Sequence, residues 1–159
     1  MGTMSLTWAA RYATERGYTI IDATPHMPKI VESLIDPAAS EGFGNMAKLH
    51  KFWTDGSVRF DKAGERLLAA VDREGNVLGV GGLKECPDVS GAMRMHRFYT
   101  LPEARGMGIA KTIANNLIDS TDAHLITCNS HPTANAFWEK LGFQPIDGPN
   151  EITHILDNR

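Results

Sequence analysis

Cysteine is scarce in this chain: there are two in 159 residues. Cys86 and Cys128 lie far apart, with no metal-ligand spacing around them. That excludes a disulfide scaffold and a zinc site, leaves reduced buried thiols as the expected state, and fits a cytoplasmic protein. No apolar run approaches membrane-spanning length, and the N-terminus lacks a signal-peptide core, so no membrane partner is expected. A basic excess is missing too. The net charge of −3 argues against a nucleic-acid or membrane-surface binder, although a local basic cradle is compatible with it. There is no internal repeat, no Gly-x-Ser-x-Gly elbow and no cysteine with an identifiable histidine partner, so the signatures of covalent hydrolysis are absent, and no metal is expected.

What is present is a globular composition, 42% hydrophobic and 22% charged, in a length that suits a single domain over residues 1–159. Met1-Gly2-Thr3 ahead of Met4 reads as an added start, so residues 1–4 are set aside. Ser5 to Arg16 reads as a short helix capped by Ser5 and stopped by Gly17, and Tyr18 to Ala23 as a strand. Thr24 before Pro25 is a cap followed by proline at the first helical position. Met27, Ile30, Val31, Leu34 and Ile35 then share one face, which predicts a helix that stops near Asp36-Pro37. After a glycine-broken loop, Met46, Leu49, His50 and Trp53 mark a second helix ending before Asp55-Gly56.

Ser57 to Glu65 has no clear period. Leu67 to Val71 and Val77 to Leu83 form a hairpin about the turn at 72–76. Cys86 to Gly91 connects it to a third strand, Met93 to Leu101. Ile109, Ile113 and Leu117 repeat every four residues in a helix that frays near Asp119-Ser120. His124 to Cys128 is a short strand, Thr133 to Leu141 a helix stopped by Gly142, and Phe143 with Ile152 to Leu156 completes the sheet. This order is mixed α/β.

The stretch Leu101 to Lys111 joins the third strand to its helix and has the makings of an anion cradle. Gly106 and Gly108 let the backbone approach a ligand, Arg105 is a permanent cation, and the helix aims free N–H groups at the same point. An ordinary strand-to-helix turn is the alternative. Two nucleotide motifs are excluded. A Walker loop needs glycines where Ala110 and Arg105 stand, and a dinucleotide fingerprint needs a third glycine where Lys111 stands.

What remains, Arg105-x-x-Gly108-x-Ala110 behind Pro102, resembles the acyl-CoA pyrophosphate loop of the GNAT superfamily of acyltransferases. A second segment, Ala134 to Phe143, resembles the late motif of that family through the aromatic pair Phe137-Trp138, then Glu139-Lys140-Leu141 and Gly142-Phe143. The two stand in the family's order with a strand between them, and the resemblance spans roughly Leu67 to Phe143. It implies a central, mostly antiparallel mixed sheet flanked by helices, and transfer of an acetyl group from acetyl-CoA to an amine acceptor of unknown identity. A homodimer is compatible with such a sheet.

The resemblance places the pyrophosphate on Arg105, Gly106, Met107, Gly108, Ile109, Ala110 and Lys111. It places the pantetheine arm along the backbone of Phe98, Tyr99 and Thr100, with Phe137 and either His131 or Asn129 beside it. Lys111 and Lys140 either steer phosphates or stay solvated. The family often protonates the departing thiolate with a tyrosine where this chain has Trp138, which has no such proton; Tyr99 is a substitute or a packed strand aromatic. Period-two alternation puts Arg94, His96, Phe98 and Thr100 on one face, and His96, the member that titrates near neutrality, is the candidate base, with Glu85 second. Trp53, Phe43 and Phe52 either line an aromatic acceptor pocket or pack the core. A CoA-binding regulatory module that has lost turnover is the competing reading, and an unrelated α/β protein with a purely structural turn is a third.

Overall fold

The computed structural model describes residues 6–159 except 11 and 14, so residues 1–4 and the cap expected at Ser5 lie outside the described residues. Its centre is the hairpin of β2 (Arg66–Asp72) and β3 (Val77–Glu85), in which every residue from Leu67 to Val71 and from Val77 to Leu83 is buried. Strands covered on both faces are continuously apolar, and this pair reads that way. Asp72 closes its turn by accepting the backbone N–H groups of Glu74 and Asn76.

The other strands are β1 (Tyr18–Asp22), β4 (Met93–Thr100), β5 (Leu125–Cys128), β6 (Gln144–Pro145) and β7 (His154–Asp157). They form one sheet in the order β1-β2-β3-β4-β5-β7-β6. Every neighbouring pair is antiparallel except β4 with β5. Successive side chains of β2 point to opposite faces and serve two cores. Leu67, Ala69 and Val71 meet Ile30, Val31 and Leu34 of α2 (Lys29–Ser40) and Met46 and Leu49 of α3 (Asn45–Thr54). Leu68 and Ala70 meet Ile109, Ile113 and Leu117 of α4 (Ile109–Asp119). Burying each of the valine, leucine, isoleucine and methionine side chains among these contributes about 1.5–3 kcal/mol. That outweighs the penalty of at most ~0.7 kcal/mol for isoleucine in a helix, so tertiary packing holds α4 in place.

Several expected boundaries are corrected. The Thr24-Pro25 signal starts a separate 3-10 turn, Thr24–His26, and α2 begins only at Lys29. The same helix does not stop at Pro37 but runs to Ser40. The N–H that proline lacks would have bonded the carbonyl of Ser33, which is exposed and so open to water, and the buried Ala38 carries the helix on. The first helix covers Thr7–Ala10. The late helix is a 3-10 turn, Pro132–Ala134, followed by α5 (Asn135–Lys140). Among the described residues no helix is long and apolar enough to cross a membrane.

Candidate active site

β4 and β5 pair only through Met93 with Ile126 and Arg94 with Thr127. Beyond Arg94 the strands part, and a cleft of about 480 Å³ opens between them, a volume suited to a small molecule or cofactor. One wall is β4 from Arg94 to Thr100; the other is Cys128 to His131 with Ala134, Phe137 and Trp138. The β4 edge there has no strand beside it, so its backbone N–H and C=O groups are available to an extended ligand. Asn45, at the start of α3, occupies one of them by donating from Nδ2 to the Phe98 carbonyl at 2.9 Å. A carbonyl only accepts, which fixes the orientation of the Asn45 amide. Its buried Oδ1 has no partner among the described residues.

The strand bulges at the centre of the cleft. His96 pairs with Gly82 and Tyr99 with Val80, so Arg97 and Phe98 together face Gly81. The extra residue is accommodated at Arg97, whose φ of 59° is left-handed. The alternation therefore breaks, and the single face expected to carry Arg94, His96, Phe98 and Thr100 is corrected. His96 turns to the α2–α3 side, with its ring 6.3 Å from that of Phe60. Phe98 turns to the α4 side, 5.0 Å from the Trp138 ring. Glycine at 81 is needed for this, because a Cβ there would lie 2.6 Å from the Phe98 ring.

At the end of β4 the chain makes a 3-10 turn, Pro102–Ala104, and enters the cradle. Gly106 at φ +89° and Gly108 at φ +81° supply the left-handed turns that reverse the backbone there. The N–H of Thr112 closes the first turn of α4 on the Gly108 carbonyl at 2.9 Å. The N–H groups of Gly106, Gly108, Ile109, Ala110 and Lys111 find no backbone acceptor among the described residues. Five donors are thus left without backbone partners in and just before the first turn of α4, where the helix dipole also favours an anion.

A family model described as an acetyltransferase (GNAT) domain matches residues 36–157. The chain belongs to the GNAT acetyltransferase family. Among solved structures, a candidate acetyltransferase from Exiguobacterium sp. 255-15 is 25% identical with a TM-score of 0.79, over 88% of this chain and 93% of that one. The GNAT family N-acetyltransferase YhbS of Escherichia coli, in complex with CoA, is 16% identical with a TM-score of 0.65, over 90% and 82% of the two chains. The spermidine/spermine N-acetyltransferase SpeG of Vibrio cholerae, with manganese ions, is 17% identical with a TM-score of 0.57, over 87% and 90%. The last two likenesses are of fold alone. No curated protein matches the sequence at a significant level.

Within this GNAT fold Arg105 stands at the edge of the cradle, but its charge is already matched. Nη1 and Nη2 each donate to Glu41, beyond the end of α2, at 2.8 Å, and Nε donates to the Thr100 carbonyl at 3.2 Å. The guanidinium, and then the Tyr99 hydroxyl, hold the Glu41 carboxyl below the usual range. Tyr99 donates its hydroxyl proton to Glu41 at 2.6 Å. Burial first, then that carboxylate, push the phenol up to about 12. Tyr99 is thus a packed strand aromatic whose proton is committed, and it is not available as the substitute acid. Trp138 is 5% exposed and lies edge-on to Phe98, Phe137 and Phe143.

His96 lines the cleft, yet burial, followed by the charges of Arg97, Lys84 and Arg94, pushes its pKa down to about 3. An efficient base titrates near the working pH; burial holds this ring neutral and only weakly basic, which argues against the general-base role expected of His96. This has a consequence for stability. Between about pH 6.5 and 3 the unfolded chain binds a proton that the folded one does not, so stability is full above 6.5 and falls as the pH drops toward 3. The slope approaches about 1.4 kcal/mol per pH unit for a single group. Urea midpoints between pH 7 and 4 are expected to fall in the wild type and to fall less steeply in His96→Gln; parallel curves would refute the shift.

Glu85 lies outside the cleft lining and pairs with Lys62 at 3.8 Å. His131 lines the cleft, with Nδ1 engaged by the N–H and hydroxyl of Thr133 and its ring edge-on to Phe43. Asn129 and Phe137 line it too. Lys111 and Lys140 are exposed. Of the three aromatics considered for an acceptor pocket, Phe43 is in the lining, whereas Trp53 packs against the α2–α3 core and Phe52 stands behind Arg97. Sequence reasoning missed Glu41, Asn45 and Arg97. Glu41 and Asn45 fall in or beside a loop that shows no periodicity, and nothing in the strand pattern marks Arg97 as the bulged position.

Proposed function

We propose that the protein transfers the acetyl group of acetyl-CoA to a primary amine of a small molecule or protein by direct attack. The observation that carries this is the row of five N–H groups in the cradle that have no backbone partner among the described residues, placed at one end of an open strand edge. The cradle holds the pyrophosphate through Gly106, Gly108, Ile109, Ala110 and Lys111, with Met107 and Arg105 fixing the turn. The free edge at Phe98, Tyr99 and Thr100 holds the pantetheine arm, faced by His131, Asn129 and Phe137. The CoA bound to the Escherichia coli neighbour supports this assignment. Acetyl-CoA supplies an activated acyl thioester. The amine nitrogen bonds to the acyl carbon, the carbon–sulfur bond breaks, sulfur keeps the electron pair, and the amine's surplus proton ends on thiolate or water.

The protein's part is to bring the two reactants together and keep the amine neutral. Burial, which does most to keep His96 neutral, disfavours an ammonium in the same place. The thiol is acidic enough, near pKa ~8.5, to leave without a tyrosine. His96 positions the amine by accepting a hydrogen bond from its N–H. A polycation of the kind used by the Vibrio cholerae neighbour would find no carboxylate in the lining of this cleft. The buried Cys86 and Cys128 are free, and burial pushes the Cys128 thiol up to about 12, so that thiol stays protonated and unreactive in the reducing cytoplasm we assign.

The test is release of free thiol from acetyl-CoA across a panel of amines, beside thermal unfolding with and without the ligand. Acceptor-dependent thiol release is expected. A raised unfolding midpoint without release on any acceptor would refute turnover and leave a CoA-binding regulatory module.

A further inference from the structure

The end of the cleft away from the cradle carries positive charge that no carboxylate balances among the described residues. Lys84 on β3 stands directly opposite Arg94 on β4, so two cations lie side by side on one face, an arrangement that is destabilising by itself. Arg97 follows at the bulge, its guanidinium 5.7 Å over the Phe52 ring. Among the described residues none of the three forms an ion pair. At the other end Arg105 has Glu41. The contrast is not one of composition, since the whole chain is net −3. Arg94 and Arg97 both line the cleft, and its lining contains no aspartate or glutamate.

Position along β4 says which reactant meets these charges. The cradle receives the phosphates beyond Thr100, and the arm runs up the strand edge toward the bulge. Arg94 lies six residues before Thr100, on the far side of the bulge from the cradle, so it is the acceptor rather than the phosphates that would reach it. A half-buried, unpaired guanidinium is costly, and burial and the neighbouring Arg94 both act against the charge on Arg97. A carboxylate placed there would remove the repulsion, and the guanidinium fork is shaped to bind one through two parallel hydrogen bonds.

We propose that the acceptor is an amine carrying a carboxylate close to its amino group, held by Arg94 and Arg97, and that this pair selects it over neutral and polycationic amines. The proposal rests on the acetyl-transfer reading above. It assigns specificity to two residues that carry no chemistry themselves.

The test measures acetyl-CoA-dependent thiol release with a set of α-amino acids, the corresponding carboxamides and a diamine, using wild type, Arg94→Gln and Arg97→Gln. For the wild type, kcat/KM for the best amino acid is expected to exceed that for its carboxamide by about tenfold or more, the scale of one charge-assisted hydrogen bond. Each glutamine variant is expected to bring the amino acid down toward its carboxamide, while the carboxamide rate stays within about twofold and the midpoint shift given by acetyl-CoA is kept, as befits loss of a single binding contact. Equal or faster acetylation of the carboxamide or diamine overturns the proposal and leaves acetyl transfer standing. A preference that survives in both variants overturns the assignment to the arginines. Absence of thiol release with every amine overturns both readings.

Discussion

Ala110→Glu is expected to abolish the rise in unfolding midpoint that acetyl-CoA gives the wild type, while the ligand-free midpoint stays level or rises. Ala110 is the second residue of α4 and lines the cleft. A glutamate there puts a carboxylate over the unpaired N–H groups, so it competes with the pyrophosphate and repels it. For the fold the change is favourable, because α4 has no acidic residue in its first turn and an acid at a helix N-terminus typically contributes 0.3–1 kcal/mol, roughly. At about a hundred times its dissociation constant a ligand adds roughly 2.7 kcal/mol, which for a chain of this size is roughly 5–10 °C. The variant should show none of it. A shift of wild-type size in Ala110→Glu would mean that the pyrophosphate sits elsewhere. Arg105→Glu is a poorer probe, because it would set a second carboxylate against Glu41 and damage the fold together with the site.

The cradle was legible in the sequence because its chemistry is local. Gly106, Gly108 and Ala110 lie within five residues, and the helix that follows is marked by Ile109, Ile113 and Leu117. The hairpin and the late motif were legible for the same reason. What the sequence hid depends on partners distant in the chain. Glu41 becomes part of the site because α2 continues past Pro37 and delivers it to Arg105, 64 residues away. Asn45 reaches the Phe98 carbonyl across 53 residues.

The bulge is the most consequential omission. A left-handed backbone is ordinarily announced by glycine, and here the residue is Arg97, so strict alternation put His96 and Phe98 on the same face when they are on opposite ones. The divergence of β4 from β5 was equally invisible, since an apolar pattern reports which face is buried and says nothing of where pairing ends. Yet the bulge and the divergence create the cleft. Together they let one strand leave its edge open, send its Phe98 to the α4 core, and bring its Arg94 and Arg97 to the cleft.

Trp138→Ala is expected to cost about 3–5 kcal/mol, the range for truncating a large buried aromatic, and to lower acetyl transfer at the same time. The indole touches three rings at centroid distances of 5.0, 4.9 and 5.2 Å, all edge-on, a geometry that adds about 0.5–1.5 kcal/mol per pair beyond burial. One of those rings, Phe98, belongs to β4, and another, Phe137, to α5, so the tryptophan spans the two walls of the cleft. Its loss leaves Phe98 without the surface that seats it over Gly81, and the open edge of β4 in the cleft loses its support. Urea unfolding would show the loss as a lower midpoint at unchanged slope. Trp138→Phe, which keeps an aromatic ring in the cluster, should lose much less. A cost below about 0.5 kcal/mol for the alanine variant, the level of an ordinary surface change, would mean that the α5 wall lies outside the cooperative core. In a total stability of about 5–15 kcal/mol, the expected loss is large enough to explain tryptophan here without any part in proton transfer.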